Sequence, residues 1–321
     1  MKHLLRGLTL VVSALCASTG VLAQDKTNIF IATGPTSGVY YPLGGGMADV
    51  LTKHVPGLNA TAGTTAGSIA NLQLMQGGKA EVAFSMADAS WDAFKGQQKF
   101  QDKPVPIRAL MVLYPNRMHV VTVEGTGINK FTDLKGKRVS TGAVNSATEV
   151  MAARLLDAYG MTFKDIIQER LDPGKSADAI KDKKLDAFFW VGGVPTSSVT
   201  ELAATPGIKL KMVDHDEGVD NMVKKYGPLY VKDVIPARSY SGMEQPNRIS
   251  TVWNVLVARA DIPDQLAYNI VKTMFDRKQD MINVHKEAQN FDIKYQTSAA
   301  AVIPFHPGAA KYLNEKGAKL Q

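Results

Sequence analysis

Glycine, serine and threonine residues are concentrated in four loops, and each loop leads into a pattern typical of a helix. The loops occupy residues 33–38, 63–68, 141–146 and 192–195. A helix N-terminus carries unpaired N–H groups and the positive end of the peptide dipole, so it attracts anions such as carboxylates. Glycine lets the backbone approach a ligand closely, and serine and threonine add hydroxyl groups. Each loop could therefore hold a carboxylate, although such loops also serve simply as helix caps.

These loops fall between strands and helices that alternate along the chain. Strands are predicted at residues 29–32, 59–62, 82–85, 107–113, 138–140, 185–191 and 252–258, and one long helix at 262–284. This alternation is typical of α/β folds, in which ligands bind beyond the carboxyl ends of the strands. We therefore expect the four loops, two from each of two lobes, to converge on one cleft.

The length of the chain is sufficient for two lobes of ordinary size. We expect the chain to cross between the lobes near Leu113 and again near Ala260. Lobe I would then contain residues 24–113 and 261–321, and lobe II would contain residues 114–260.

The N-terminal segment has the features of a secretory signal peptide. Lys2 and Arg6 precede an apolar stretch at residues 8–22, and Ala23 supplies a small residue at the expected cleavage site. The apolar stretch is shorter than the roughly 20 residues that span a bilayer. We expect residues 1–23 to be removed and the mature protein to be exported to the periplasm.

The charge of the chain is mildly positive. It has 37 Lys+Arg and 30 Asp+Glu, a formal net charge of +7, and removal of the signal peptide takes away two of the basic residues. The basic residues are scattered, and no run of five occurs, so no nucleic-acid partner is expected. A modest positive field favours anionic solutes.

Sequence motifs of catalysis are not found. The chain lacks the patterns G-x-x-x-x-G-K-[ST], G-x-G-x-x-G, G-x-S-x-G and H-E-x-x-H. The only cysteine, Cys16, lies within the signal peptide, so the mature chain has no cysteine nucleophile and no disulfide. The acidic run at residues 214–217 has no further ligand group nearby in sequence, which favours a solvated loop over a metal site.

Two side chains at the ends of predicted strands have alternative roles. Trp190 stands directly before the loop at 192–195, where it either lines the cleft or packs in the core. Asp88 follows the strand at 82–85, where a carboxylate could act as an acid or base, but more often pairs with an amine.

Five segments together resemble the TAXI solute-binding proteins of TRAP (tripartite ATP-independent periplasmic) transporters. They are residues 33–42, 65–68 with Asn71, 134–139, 185–190 with Gly193 and Pro195, and 303–309. The resemblance covers nearly the whole mature chain. It implies a two-lobed periplasmic binding protein with a type II-like α/β fold, whose lobes close over one solute.

The resemblance also implies a partner and a class of ligand. The solute would pass to the membrane permease subunits of a TRAP transporter, which is driven by an ion gradient. Family members with known ligands bind glutamate, glutamine or 2-oxoglutarate-like molecules. We therefore expect a small anionic solute, an organic acid or an amino acid.

Carried over position by position, the resemblance implies ligand contacts from both lobes. Lobe I would contribute Ser37, Gly38, Tyr40, Thr65, Gly67, Ser68, Asn71, Ala87 and Asp88. Lobe II would contribute Thr141, Ala143, Ser146, Thr148, Trp190 and Gly193. At residues 144–148 the family more often has Pro-Gly-Ser-Gly-Thr, so Asn145 and Ala147 replace glycines here.

Other functions are compatible with such a fold. They are an ABC-type binding protein, a ligand-sensing receptor for a kinase and, less favoured, a periplasmic lyase, for which only Asp88 would supply an acid or base. The residue before Cys16 is the bulky Leu15, unlike a lipoprotein signal, which argues against the ABC alternative. We expect a monomeric binding protein that is not an enzyme and needs neither cofactor nor metal.

Overall fold

The structure is a computed structural model that describes residues 26–320. The predicted signal peptide, residues 1–23, lies outside the described residues. The strands are β1 (Thr27–Ala32), β2 (Leu58–Gly63), β3 (Val82–Met86), β4 (Ile107–Val123), β5 (Arg138–Ser140), β6 (Ile167–Glu169), β7 (Ala187–Gly192), β8 (Leu210–Met212), β9 (Val231–Ile235) and β10 (Asn247–Arg259). The helices are α1 (Tyr40–His54), α2 (Ser68–Gln76), α3 (Ala87–Lys95), α4 (Ala147–Ala158), α5 (Pro173–Lys181), α6 (Ser197–Ala204), α7 (Val219–Tyr226), α8 (Asp264–Asp276), α9 (Lys278–Val284), α10 (Ser298–Ala301) and α11 (Pro307–Glu315).

The strands form one mixed sheet, and the predicted α/β fold class is confirmed. The strand order is β2-β1-β3-β10-β4-β7-β5-β6, with β8 paired to β4 and β9 paired to β10. Strands β1, β2 and β3 are parallel to one another, as are β5, β6 and β7. The long strands β4 and β10 are antiparallel to their neighbours and join the two parallel groups.

Strands β4 and β10 change partners along their length. The last part of β4 pairs with β7, at Arg117 to Thr122, whereas its earlier part pairs with β10. In β10 the residues up to Thr251 pair with β9, and those from Asn254 onward pair with β3. We call β1–β3 with α1–α3 and α8–α11 the first half, and β5–β9 with α4–α7 the second half. Strand β4 is 17 residues long and extends well beyond the predicted strand at 107–113.

Helices cover the sheet and bury three apolar clusters. Helices α1, α8 and α11 pack on the first half around residues such as Leu43, Ile270 and Leu313. Helices α5 and α6 cover the second half. Residues of α2, α3, α4 and α7 belong to one further cluster that includes both halves. The two halves are therefore in contact across a continuous apolar core.

The prediction of one long helix at 262–284 is wrong, because the chain forms two helices there, α8 and α9. Arg277 lies between them with φ −109° and ψ 27°, outside helical geometry. The break allows α9 to turn onto α1, where Val284 lies against Gly46. A Cβ on Gly46 would come within 2.7 Å of a Val284 methyl group. Tertiary packing thus ends a helix that the apolar pattern alone would continue.

Candidate ligand-binding site

One cavity lies where the N-termini of α1, α2 and α4 meet strands β4 and β7. It contains about 380 Å³ of space free of protein atoms, part of it open to solvent. The cavity is lined by Pro35, Gly38, Val39, Tyr40, Ala66, Gly67, Ser68, Met86, Tyr114, Asn116, Ser146, Ala147, Thr148, Trp190, Val191 and Gly192. None of these lining residues has a charged side chain. We call this space the central cavity.

The central cavity brings together residues predicted from both lobes. The predicted residues that line it are Gly38, Tyr40, Gly67, Ser68, Ser146, Thr148 and Trp190. They lie at the starts of α1, α2 and α4 and at the end of β7. The four loops identified from the sequence therefore converge on a single space.

Three hydroxyl groups on the cavity wall are oriented by backbone N–H groups. Each hydroxyl oxygen accepts one hydrogen bond: Ser68 from Met86 N at 3.1 Å, Ser146 from Glu149 N at 3.2 Å, and Thr148 from Val191 N at 3.4 Å. A hydroxyl carries one hydrogen, so each of these oxygens can still donate its O–H, and that of Ser68 lies next to the hydroxyl of Tyr40. The wall thus offers three side-chain donors next to helix N-termini, an arrangement suited to an anionic oxygen.

The loop before α4 depends on two residues with positive φ. Gly142 has φ +97°, and a Cβ there would come within 2.8 Å of Thr148, so only glycine permits this approach. Asn145, which replaces a glycine of the TAXI pattern, has φ +62°. Asparagine tolerates this left-handed conformation better than most residues. Its carbonyl accepts a hydrogen bond from Ala70 N at 3.1 Å, which joins the second half to α2.

Trp190 both lines the central cavity and packs in the core. Its side chain is 9% exposed and belongs to the apolar cluster of the second half. The indole Nε1 donates to Thr196 Oγ1 at 2.9 Å. The ring lies against Gly38 of the first half, where a Cβ would be 3.0 Å from it. The two alternatives left open by the sequence are therefore not exclusive.

A chain of buried hydrogen bonds connects β4 to Thr196, the hydrogen-bond partner of Trp190. His119 Nδ1 donates to the carbonyl of Arg117 at 2.9 Å, so its Nε2 accepts from Tyr240 OH at 2.8 Å. The Tyr240 oxygen in turn accepts from Thr196 N at 3.1 Å. Burial lowers the pKa of His119 to about 4, which keeps the ring neutral at physiological pH.

Strand β4 contributes two polar side chains that the sequence analysis did not identify. Tyr114 and Asn116 are 0% and 1% exposed, yet the Tyr114 hydroxyl and the Asn116 amide oxygen have no hydrogen-bond partner within the described chain. The predicted strand ended at Leu113, so its continuation was missed. The sequence signal that could have identified them is the pair of polar residues that follows the predicted apolar strand.

Thr65 and Asn71 lie behind the cavity wall and hold it in place. The Asn71 amide donates to the carbonyls of Thr33 at 2.6 Å and Phe84 at 2.8 Å. Its oxygen accepts from Thr65 Oγ1 at 2.6 Å, and the same Thr65 oxygen accepts from Gly67 N at 2.9 Å. These two predicted contact residues thus link the end of β1 to β3 and to the start of α2.

Asp88 pairs with a cation of the protein itself and does not line the central cavity. It is fully buried near the start of α3, beside the predicted Ala87, and lies 3.3 Å from Arg154. Arg154, on α4 of the second half, also pairs with Asp92 at 2.6 Å. Tyr230 OH donates to Asp88 at 2.7 Å. Burial raises the pKa of Asp92 to about 6, against the opposing effect of Arg154. We call Asp88, Asp92, Arg154 and Tyr230 the Arg154 cluster.

Two further predicted residues shape the loop before α4 without lining the cavity. Thr141 is buried, and its N–H donates to the carbonyl of Glu169 at 2.9 Å, which ties the loop to β6. The carbonyl of Ala143 accepts from Ser146 N at 3.0 Å and so closes the turn.

The remaining two predicted residues lie at contacts between the halves. The carbonyl of Ser37 accepts from Ser197 Oγ of α6 at 2.9 Å. Gly193 lies against Glu287, where a Cβ would be 2.7 Å from that side chain. Packing between the halves, not contact with the cavity, accounts for both positions.

Metal-ligating groups and membrane-spanning helices were sought over residues 26–320. In this range no three His, Cys, Asp or Glu residues are grouped to hold a metal ion. Asp214, from the acidic run, accepts from Asn247 and Arg248. Over the same residues no helix has both the length and the apolar character that crossing a membrane requires.

A family model described as the NMT1-like family matches residues 31–317. The chain belongs to the NMT1-like family. This is a periplasmic solute-binding family, so the protein has the role of a periplasmic solute-binding protein. The match includes the central cavity and both halves of the sheet.

Solved structures with low sequence identity are similar to the chain. A periplasmic transporter protein has a TM-score of 0.54 at 12% identity, with 92% of this chain and 98% of that chain covered. The alkanesulfonate-binding protein SsuA from Xanthomonas axonopodis pv. citri, bound to MOPS, has a TM-score of 0.48 at 12% identity, with 91% and 85% covered. The ligand-binding component of an ABC-type import system from Staphylococcus aureus has a TM-score of 0.49 at 12% identity, with 90% of each chain covered. The similarity to the periplasmic transporter protein confirms the predicted two-lobed α/β fold of a periplasmic binding protein.

Proposed function

We propose that the protein captures a small carboxylate and delivers it to the permease subunits of a TRAP transporter. The observation that carries the carboxylate assignment is the meeting of three helix N-termini and three hydroxyl donors in one cavity without a charged side chain. The TAXI-like segments support the TRAP partner. The predicted signal peptide supports export to the periplasm.

The chemistry of the central cavity favours an anion over a cation or an uncharged sugar. A buried anion must replace the hydrogen bonds that it made to water. N–H and O–H donors do this, and each hydrogen bond to a charged group contributes about 1.5–3 kcal/mol. The positive ends of the helix dipoles add to this effect, whereas they would repel a cation. The net positive charge of the chain favours the approach of an anion.

We propose that the two halves act as the two lobes that close over the solute. The changes of strand partner in β4 and β10 support crossings near Asn116 and Val252. The first is close to the expected crossing at Leu113, and the second precedes the expected crossing at Ala260. The lobes, predicted as 24–113 with 261–321 and as 114–260, would shift accordingly. Residues from both would enclose the ligand.

We propose a binding role without catalysis. The lyase alternative would require an acid or base beside the ligand, and Asp88 was the only predicted one. Its carboxylate is engaged by Arg154 and Tyr230 and is not part of the cavity lining. A carboxylate held in this way is poorly placed to exchange protons with a bound solute.

Binding and transport are tested separately. The mature protein is titrated by calorimetry with carboxylates, a neutral sugar and a cationic solute, and we expect only carboxylates to bind. If the sugar or the cation binds and no carboxylate does, the proposed ligand class is wrong.

Uptake of the bound carboxylate is then measured in cells with and without the protein. We expect uptake to stop when a protonophore or sodium removal abolishes the ion gradient. Uptake that persists without the gradient but requires ATP would favour the ABC alternative.

A further inference from the structure

We infer that the ligand is a small hydroxycarboxylate and not an amino acid. The inference rests on the proposed function, because it assumes that a carboxylate occupies the helix N-termini. It concerns the β4 wall of the same central cavity, where two buried polar atoms have no partner within the described chain.

The first observation is the polar pair on β4. The Tyr114 hydroxyl and the Asn116 amide oxygen are buried and unpartnered, and both residues line the central cavity. A buried polar atom without a partner costs about as much as a lost hydrogen bond, so such atoms are uncommon in native proteins. A bound ligand that bonds to both atoms would remove this cost. The ligand therefore needs a polar group in addition to its carboxylate.

The second observation is that the acidic side chains near the cavity are already engaged. Asp88 is held by Arg154 and Tyr230. Glu287, close to Tyr114, accepts from Arg117 at 3.1 Å, from Val194 N at 2.8 Å and from Asn290 at 2.7 Å. An amino acid would bring an ammonium group into a site whose lining offers no carboxylate to pair with it. A buried, unpaired charge is far more costly than a neutral polar group.

A hydroxyl group matches both unpartnered atoms. A hydroxyl group can donate to an amide oxygen such as that of Asn116 and can accept from a hydroxyl such as that of Tyr114. A keto group accepts from Tyr114 but leaves the Asn116 oxygen without a donor. A methylene group satisfies neither atom. Each mismatch is expected to weaken binding by about 5- to 150-fold, from a penalty of roughly 1–3 kcal/mol.

The test uses two series of probes that differ only at one carbon atom. The first contains lactate, pyruvate, alanine and propionate, and the second contains 2-hydroxyglutarate, 2-oxoglutarate, glutamate and glutarate. Calorimetry on the mature protein should rank the hydroxy acid first within whichever series binds. The amino acid should bind at least about fivefold more weakly than the hydroxy acid.

Substitutions at the polar pair connect the ranking to these residues. Tyr114→Phe should reduce the preference for the hydroxy acid over its deoxy analogue, whereas Tyr268→Phe, which removes an exposed hydroxyl bonded to Glu315, should leave it unchanged. Asn116→Asp supplies a carboxylate and should shift the preference toward the amino acid.

If alanine or glutamate binds the wild-type protein best, the inference is wrong and the proposed carboxylate function stands. If no carboxylate binds, both fail. An unaltered preference in folded Tyr114→Phe also overturns the assignment.

Discussion

At the scale of single residues, the sequence predicted the part of the site that is built locally. Ser68 and Ser146 end loops that composition and spacing suffice to find, and the Ser146 hydroxyl bonds locally to Glu149 N. Thr148 was predicted only from the TAXI resemblance, and its partner, Val191 N, is 43 residues away in sequence. Tyr114 and Asn116 are different, because their burial depends on where β4 passes between the two halves. Asp88 was predicted as a ligand contact that pairs with an amine, but the cation that it meets is Arg154, which is 66 residues away in sequence and comes close only through folding.

Ser68 should contribute to both binding and stability. Ser68→Ala removes the O–H donor and leaves the buried N–H of Met86 without its acceptor. We expect a loss of carboxylate affinity of about ten- to more than hundredfold, from roughly 1.5–3 kcal/mol, and a loss of unfolding free energy of about 1–3 kcal/mol. Calorimetry and urea denaturation measure the two effects.

Ser90→Ala is the matched control for Ser68→Ala. Ser90 is also buried, and its hydroxyl bonds to Ser85 and to the carbonyl of Met86, outside the cavity lining. This variant should lose stability but retain affinity. Unchanged affinity in a folded Ser68→Ala protein would remove the loop before α2 from the site.

At the scale of elements, the sequence predicted the order of strands and helices better than their ends. The apolar run of β7 and the helical period of α1 and α4 are local patterns, and the structure contains all three elements. The extent of β4 is not local, because its residues beyond Leu113 are strand only by pairing with β7, β8 and β10. The break at Arg277 is not local either, because it depends on the packing of Val284 against Gly46 of α1.

The hydrogen-bond chain through His119, which connects β4 to Thr196, should make the stability of the protein depend on pH. Burial lowers the pKa of His119 to about 4, below its ordinary value of 6.5. The unfolded chain therefore takes up a proton at a higher pH than the folded protein. The stability due to neutral His119 is fully present above pH 6.5 and is lost as the pH falls from 6.5 toward 4. At pH 5 the loss is about 2 kcal/mol.

His119→Gln tests this dependence by chemical denaturation at pH 7 and pH 5. The variant should lose about 2 kcal/mol less unfolding free energy between these pH values than the wild type. His215, also fully buried and with its pKa lowered to about 4, provides the comparison, and His215→Gln should reduce the loss similarly. An equal pH dependence in wild type and both variants would show that these rings do not control acid stability.

At the scale of the whole molecule, the alternation of elements predicted two lobes but not how they touch. Contacts between the halves are made by groups far apart in sequence. Arg154 pairs with Asp88 and Asp92, Ser197 donates to the carbonyl of Ser37, and Ala70 N donates to the carbonyl of Asn145. No sequence period encodes such pairs, because residues far apart in the chain come together only in the folded structure. They lie around the central cavity, so ligand binding and closure should be coupled.

Closure should be visible in tryptophan emission, because Trp190 lines the central cavity and its ring lies against Gly38 of the other half. A ligand that enters the cavity expels water and changes the polarity around the indole. We expect a confirmed ligand to change the emission of the wild-type protein and to leave that of Trp190→Phe nearly unchanged while still binding in calorimetry. Trp253, which packs on Tyr295 with 5.0 Å between ring centres, gives the control, and Trp253→Phe should keep the full change. Trp91 is present in every variant and sets the background. If a Trp190→Phe protein binds normally and still shows the full emission change, Trp190 does not respond to the ligand. The assignment of the loop at 192–195 to the binding site would then be wrong.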